Sequence, residues 1–393
     1  MIAVIADDLT GAAEIAGIGL RFGLNVELSM EVPGASHADL LVIATDTRSR
    51  SREEAVAISG KTTSALTKLR PQWIYKKIDS VMRGHLLPEI AAQMTAMNCD
   101  TALIVPANPH LGRTIKNGRY LVHDTPVNQT GFAHDPDFPV TESDILRRFS
   151  QEEHTLQVLS CRGELSGKGI YVGEAASGSD LGAWAGLKSK PGVLAGAAGF
   201  FSSLLEHEGL KARINVKAVR FESPSLYVCG SAYKERVDLV RAAFERNSPV
   251  SYLPAALTQA VARAGAGVTA WCDEIVSLLN QYGTAIIAID PAAVEPSATA
   301  THLRKVMAAA VARVLRNIPV RELFIEGGST ASAILEEAKI TALSPINELA
   351  AGVVRMQAAA DPGFHITIKP GSYHWPEMVN NFFAKANYTK PII

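Results

Sequence analysis

Short runs rich in Val, Ile and Leu recur along this chain and alternate with longer segments of helical period, which leaves few folds open. A run apolar at every position is buried on both faces, the condition of a parallel strand covered by helices above and below. Residues 2–6 (IAVIA), 40–45 (LLVIAT), 73–78 (WIYKKI), 101–105 (TALIV) and 193–197 (VLAGA) read as such strands in the first half. In the second half 225–229 (SLYVC), 284–290 (TAIIAID) and 321–326 (RELFIE) read the same way. Helical spacing covers 11–22, 51–69, 233–246, 300–316 and 330–338, and the second of these opens with the capping box Ser51-x-x-Glu54. A chain of 393 residues exceeds what one core usually organises. The stretch 209–224 lacks an apolar period and carries Glu222-Ser-Pro224, so the boundary falls there. The expectation is an α/β protein of two domains, 1–215 and 220–393, each a largely parallel sheet flanked by helices, with the active site in the cleft between them.

Charge removes several functions. The chain has 38 Lys+Arg against 39 Asp+Glu, a net charge of −1, so no electrostatic footprint for nucleic acid is present. No run reaches the roughly 18 apolar residues of a membrane span, and the opening Met-Ile-Ala-Val-Ile-Ala reads as a buried strand rather than a leader. Cys99, Cys161, Cys229 and Cys272 form no C-x-x-C pair, which favours reduced thiols in a cytoplasmic protein. Residues 106–140 are rich in Pro, Asn, Gly and Asp and read as one long functional loop. Phe382 and Phe383, after Trp375-Pro376, pack within the chain or on a second copy; the first is the usual fate of paired aromatics, and a homodimer stays open.

Three groups of charged residues follow predicted strands, at the sheet edge where parallel α/β folds bind ligands. Ile5-Ala-Asp7-Asp8-Leu-Thr10-Gly11 places two acids between a strand and a helix. One acid suffices as a helix cap, and the second points to proton transfer or cation binding. Tyr75-Lys76-Lys77-Ile78-Asp79-Ser80-Val81-Met82-Arg83-Gly84-His85 offers Lys77 and Arg83 as fixed cations, with Asp79 and Ser80 as partners for hydroxyls. Thr45-Asp46-Thr47-Arg48 adds Arg48 as a second anion contact. Together these suit a small polyhydroxy acid.

In the second half Glu326-Gly327-Gly328-Ser329-Thr330 and Cys229-Gly230-Ser231-Ala232 each join a strand to a helix. Glycine lets the backbone approach a phosphate, and a helix N-terminus adds positive potential. Two such turns favour a nucleotide site over two ordinary caps, and Lys369-Pro370-Gly371-Ser372 is a third glycine turn. Gly60-Lys61-Thr62-Thr63 only imitates a Walker A tail, because Ala55 stands where its first glycine belongs. A haloacid-dehalogenase phosphatase needs D-x-D-x-T, and the adjacent Asp7-Asp8 does not supply it.

In order along the chain, IADDLTGA, YKKIDSVMRGH, PANPHLGRT at 106–114, the GS pair at 230–231, GGST at 327–330 and KPGS at 369–372 resemble the four-carbon acid sugar kinase family. The resemblance implies an N-terminal domain for the sugar acid and a C-terminal domain for ATP, with Mg²⁺ accompanying ATP and no metal ligand identified. Carried over, Asp8, Arg48, Lys77, Asp79, Ser80, Arg83 and Gly84 contact substrate. Gly230, Ser231, Gly327, Gly328, Ser329, Thr330, Gly371 and Ser372 contact nucleotide. Asp8 is the expected general base, assisted by Asp7 or Asp79, for phosphate transfer to the terminal hydroxyl of a threonate, erythronate or 3-oxo-tetronate. The alternatives are a sugar-acid binding or sensing protein without catalysis and a kinase for a branched relative.

Overall fold

In a computed structural model, the structure describes residues 1–135, 138–154, 156–160, 163–188, 192–213, 219–230, 234–259, 264–371 and 373–386. The chain divides into two units, Met1–Asn215 and Val216–Ile393.

The first unit begins with β1 (Ile2–Ala6), buried at all five positions, and passes into α1 (Leu9–Arg21). β2 (Val26–Ser29), β3 (Leu40–Ala44), α2 (Arg52–Lys68), β4 (Ile74–Lys77), α3 (Leu86–Met97) and β5 (Thr101–Val105) follow. Next come β6 (Arg113–Lys116), β7 (Arg119–Val122), β8 (Thr125–Pro126), α4 (Ile145–Arg148), β9 (Leu156–Leu159), β10 (Gly169–Gly173), α5 (Gly178–Ala185), β11 (Val193–Gly196) and α6 (Ala198–His207). Its main sheet runs β2-β3-β1-β4-β11-β5-β10-β9 with every pairing parallel. That is the arrangement expected of strands apolar at successive positions. The predicted capping box is present: Ser51 accepts from the Glu54 N–H and Glu54 from the Ser51 N–H.

Residues 106–140 are not one loop. β6, β7 and β8 form a separate antiparallel sheet, and its Ile115 and Tyr120 pack with Val127, Val140 and Ile145 into the core beneath β5 and β10. Strands of two to four residues carrying Arg113, Lys116 and Arg119 have no apolar run to betray them, which is why sequence pattern missed them.

The second unit contains β12 (Ser225–Cys229), α7 (Lys234–Glu245), β13 (Val250–Tyr252), α8 (Ala264–Tyr282), β14 (Thr284–Ala288) and α9 (Ala300–Asn317). It continues through β15 (Glu322–Glu326), α10 (Gly328–Glu337), β16 (Ala342–Ala350), β17 (Val353–Ala358), β18 (Asp361–Lys369) and α11 (Glu377–Ala386). Strands β13-β14-β12-β15-β18 are parallel, and β17 and β16 continue the sheet antiparallel. The strand read over 284–290 stops at Ala288, because Asp290 caps a short turn at Pro291. Trp375 is buried against Tyr227 and Phe324, and Phe382 packs on the same cluster, within the chain as aromatic burial favours.

Candidate functional site

In the first unit the chain leaves β1 for β2 and β3 on one side, then crosses to β4 on the other. The carboxyl ends of β1 and β4 therefore flank the switch point where such sheets bind ligands. Asp7 and Asp8 follow β1, and Lys77, Asp79 and Ser80 lie at the end of β4.

Asp8 caps α1. Its Oδ1 accepts the Gly11 N–H at 2.8 Å, and its Oδ2 accepts the Thr10 hydroxyl at 2.6 Å and Arg48 Nη1 at 3.0 Å. Arg48 turns its other edge to Asp7, with Nε 3.0 Å from Oδ2 and Nη2 2.8 Å from Oδ1. One guanidinium thus holds both acids, and Nη1 is also 3.8 Å from Asp79 Oδ1. Gly84 lets this packing close: at φ +91° it stands where a Cβ would lie 3.3 Å from Arg48 Cγ.

Asp79 organises the turn after β4. Its Oδ2 accepts the N–H groups of Val81 (3.1 Å) and Arg83 (3.2 Å), and Arg83 returns a bidentate pair at 3.0 and 2.7 Å. Met82 sits at φ +62° in this turn, a left-handed conformation that a non-glycine residue holds only when its surroundings impose it. Arg83 Nη1 also reaches Asp135 at 2.7 Å. Lys77 Nζ donates to the Ile78 carbonyl at 3.0 Å and lies 3.3 Å from Glu14.

The structure therefore brings Asp7, Asp8, Arg48, Lys77, Asp79, Ser80, Arg83 and Gly84 together, but not as free anion receptors. Arg48 and Arg83, read from sequence as clamps for a substrate carboxylate, already have their forks engaged by aspartates. No local pattern announces this, since Asp7 and Arg48 are 41 positions apart. Glu14, Asp135, Phe132 and Arg113 complete the group and were not selected from sequence. Arg113 donates to the Ser80 hydroxyl, and it lies inside PANPHLGRT.

The acids differ in protonation. Burial raises Asp7 to about 6 even though Arg48 pulls the other way. Burial also acts on Asp8, but Arg48, Lys77 and the Thr10 and Gly11 hydrogen bonds outweigh it and leave Asp8 below the ordinary carboxylate value. Asp79 is likewise lowered, burial being overcome by Arg83 and Arg48. The raised value means the fold favours protonated Asp7, so the stability it contributes is complete below about pH 4 and is lost as pH rises through about 6. Asp7→Asn removes that dependence. The stability of the unaltered protein relative to the variant should fall by about 2 kcal/mol between pH 4 and 7, read from urea midpoints at both ends. A difference independent of pH would contradict the assignment.

In the second unit the chain runs from β12 to β13 and β14 on one side, then to β15 on the other. Gly230 after β12 and Gly327 after β15 flank that switch point, and Gly371 follows the adjacent β18. Gly327 caps α10 at φ +95° with no side chain satisfying the helix N-terminus, which leaves N–H groups of Gly328, Ser329 and Thr330 to attract an anion. Ser231 and Ser372 lie outside the described residues.

Gly230 is dictated by contact, because a Cβ there would lie 2.2 Å from Thr330 Oγ1 and 2.9 Å from Thr330 Cβ. Gly230→Ala should destabilise the protein by about 1–3 kcal/mol by overpacking. Thr330→Ala added to it should restore part of the urea midpoint. No recovery in the double variant would contradict a steric cause.

Behind these turns sits a buried polar network unread in the sequence. Glu326, fully buried, accepts from Tyr227, from Trp375 Nε1 and from Cys229 Sγ (3.3 Å). Lys369 Nζ, also fully buried, lies 3.5 Å from Glu326 and donates to the carbonyls of Pro370 (3.1 Å) and Gly371 (3.4 Å). Burial lowers the Lys369 pKa, with Glu326 opposing. The ammonium thus anchors the third glycine turn. Among the described residues no group of three or more His, Cys, Asp or Glu side chains is placed to hold a metal ion. No helix among them is long and apolar enough to cross a membrane.

Known proteins match both halves. A model of a sugar-binding N-terminal domain matches residues 2–204, and one of a nucleotide-binding C-terminal domain matches residues 227–373. A D-threonate kinase of Bordetella bronchiseptica is 36% identical over 152 residues, a match that spans 37% of this chain and 38% of that relative. A 3-oxo-tetronate kinase of Pseudomonas fluorescens is 26% identical over 427 residues, covering 98% of this chain and 96% of its own length. A D-erythronate kinase of Heliobacterium modesticaldum is 32% identical over 205 residues, covering 46% of each chain. Two of these three matches span less than half of the relative's length. Among solved structures, one from Salmonella typhimurium LT2, described as a candidate tRNA synthase, superposes with a TM-score of 0.77 at 20% identity over 100% of this chain and 99% of its own. A Haemophilus influenzae protein of the DUF1537 family does so at 0.70 and 22% over 98% of both. At these identities the structures establish the fold alone.

Proposed function

The chain belongs to the four-carbon acid sugar kinase family, and from that membership we propose that it transfers phosphate from ATP to the terminal hydroxyl of a four-carbon sugar acid of the threonate, erythronate or 3-oxo-tetronate type. The observation that carries the reading is the content of the two switch points. The one in the sugar-binding half holds aspartates and their cations, and the one in the nucleotide-binding half holds glycine turns and an uncapped helix.

Phosphoryl transfer passes through a loose transition state, so the protein has little covalent work and must chiefly position groups and neutralise charge. Asp8 suits that task although its pKa is lowered. It stays ionised at neutral pH, its side chain is 17% exposed, and it can orient the acceptor hydroxyl and take its proton late in the transfer, when the hydroxyl has become acidic. Arg48 keeps the carboxylate anionic and fixed in place, and Asp7, buried behind it, completes the pair. Asp79 builds the turn that presents Ser80 to substrate hydroxyls. Lys77 adds positive charge beside Asp8.

The glycine turns fit a nucleotide, since the α10 N–H groups behind Gly327 lack a side-chain cap. ATP, as co-substrate, supplies the transferable phosphoryl group. Gly230, Gly327, Gly328, Ser329, Thr330 and Gly371 would hold its phosphates, with Lys369 fixing the last turn. Mg²⁺ is held chiefly by nucleotide phosphates in such sites, and no protein ligand is assigned to it.

Phosphorus NMR of the reaction mixture tests the reading. A new phosphomonoester resonance coupled to the terminal methylene of the acid is the expected product. Inorganic phosphate alone, with the acid unchanged, would mark a hydrolase.

A further inference from the structure

Among the described residues of the sugar-binding half, one cation at the switch point has no acid as partner. Arg48 is paired with Asp7 and Asp8, Arg83 with Asp79 and Asp135, and Lys77 with Glu14. Arg148 gives its two terminal nitrogens to the Val81 and Met82 carbonyls, both at 2.9 Å. Arg113 is different: among the described residues it contacts no carboxylate, and its polar partner is the Ser80 hydroxyl, which accepts from Nη1. A guanidinium has five N–H donors in a fixed fork, so most of this one is left over.

The side chain is nonetheless held in place. Arg113 begins β6, and its backbone exchanges hydrogen bonds with Asn108, N–H to carbonyl at 3.1 Å and carbonyl to N–H at 2.8 Å. Its guanidinium carbon lies 5.5 Å from the centre of the Phe132 ring, and that of Arg83 lies 5.3 Å from the same ring. A second group near it also lacks a partner. The register Arg113↔Val122 and Ile115↔Tyr120 puts Tyr120 on the same face of the hairpin, and its hydroxyl is buried without a hydrogen bond among the described residues. Arg113 and Asp79 both lie within electrostatic reach of that hydroxyl.

We propose that Arg113, rather than Arg48 or Arg83, is the specificity-determining anchor that grips the carboxylate of the acceptor bidentately, with Ser80 beside it for the adjacent hydroxyl. A fork with most of its donors unused among the described residues, oriented by an aromatic face and next to a hydroxyl at the switch point, matches a 2-hydroxy carboxylate in shape and charge. The assignment rests on the kinase reading and adds to it which residue distinguishes a sugar acid from a neutral sugar.

The test compares the acid with its neutral amide, which keeps the shape and removes the charge, in the unaltered protein, Arg113→Met and Arg113→Lys. For the unaltered protein the acid should have the lower KM. Arg113→Met should raise the KM for the acid by about 10- to 150-fold, leave the KM for ATP and that for the amide unchanged, and abolish the preference. Arg113→Lys, which keeps charge and stem but loses the fork, should fall between and decides the matter if the methionine variant does not fold. Equal losses for acid and amide, or an acid KM within about twofold of the unaltered value, would overturn the assignment while leaving the kinase reading in place. Failure of the unaltered protein to bind or phosphorylate any four-carbon acid would overturn both.

Discussion

Asp8→Asn should keep the fold and lose about 10²- to 10⁴-fold in turnover. The fold survives because the asparagine Oδ1 can still accept the Gly11 N–H, so α1 keeps its cap, and asparagine is among the best capping residues. What the substitution removes is the anion. Arg48 still holds Asp7, but the hydroxyl to be phosphorylated loses its acceptor and the place where its proton goes. The KM for ATP should change little, since Asp8 belongs to the sugar-binding half. The measurement is steady-state kinetics on the variant at saturating ATP, with a thermal melt to confirm folding. Turnover within a few-fold of the unaltered enzyme would remove Asp8 from the transfer step and direct attention to Asp7 and Asp79.

The largest loss of stability should follow Glu89→Ala. Successive residues of β4 point to opposite faces, so adjacent lysines have different fates. Lys77 turns toward Glu14 of α1, and Lys76 turns to Glu89 of α3, where both side chains are almost wholly buried. Glu89 Oε2 also accepts the hydroxyls of Thr47 at 3.1 Å and Ser59 at 3.2 Å. Removing the carboxylate leaves a buried ammonium unpaired together with two orphaned hydroxyls, which costs about 3–5 kcal/mol. A urea titration should show the fall in midpoint. Lys76→Met combined with Glu89→Leu should recover most of it, because replacing both charges leaves none uncompensated. Thr47 precedes Arg48, so the single variant should also lose activity beyond its loss of stability, and the double variant should show whether this buried pair holds Arg48 in position.

How much of this was legible depends on the range over which each feature is encoded. Buried parallel strands announce themselves locally, which is why β1, β3, β4, β5, β12 and β15 could be placed from runs such as IAVIA and SLYVC. Helix starts are local too, and the Ser51–Glu54 box was readable for that reason. β16 was not legible, because ALSPINELA mixes polar and apolar positions in a partly exposed antiparallel strand. The site showed the same limit. The positions of Asp8, Asp79 and Ser80 at strand ends followed from strand assignment, while the partner of each cation did not. Arg48 finds Asp7 across 41 positions and Arg113 finds Ser80 across 33, distances at which only the folded sheet decides who meets whom. Two arginines that looked available for substrate thus hold aspartates, and Arg113 contacts no acid among the described residues. The pairing of Glu326 with Lys369 stayed hidden because each ends a different strand, and only the folded sheet sets them side by side.

The proposed activity is acid-dependent transfer of phosphate from ATP. Its most direct test is ADP release from Mg²⁺–ATP across D- and L-threonate, D- and L-erythronate and their 3-oxo forms, with a control lacking acceptor. Little ADP without acceptor and rapid release with one preferred acid of the panel are expected. ADP release equal with and without every acid, or absence of ATP binding, would contradict it.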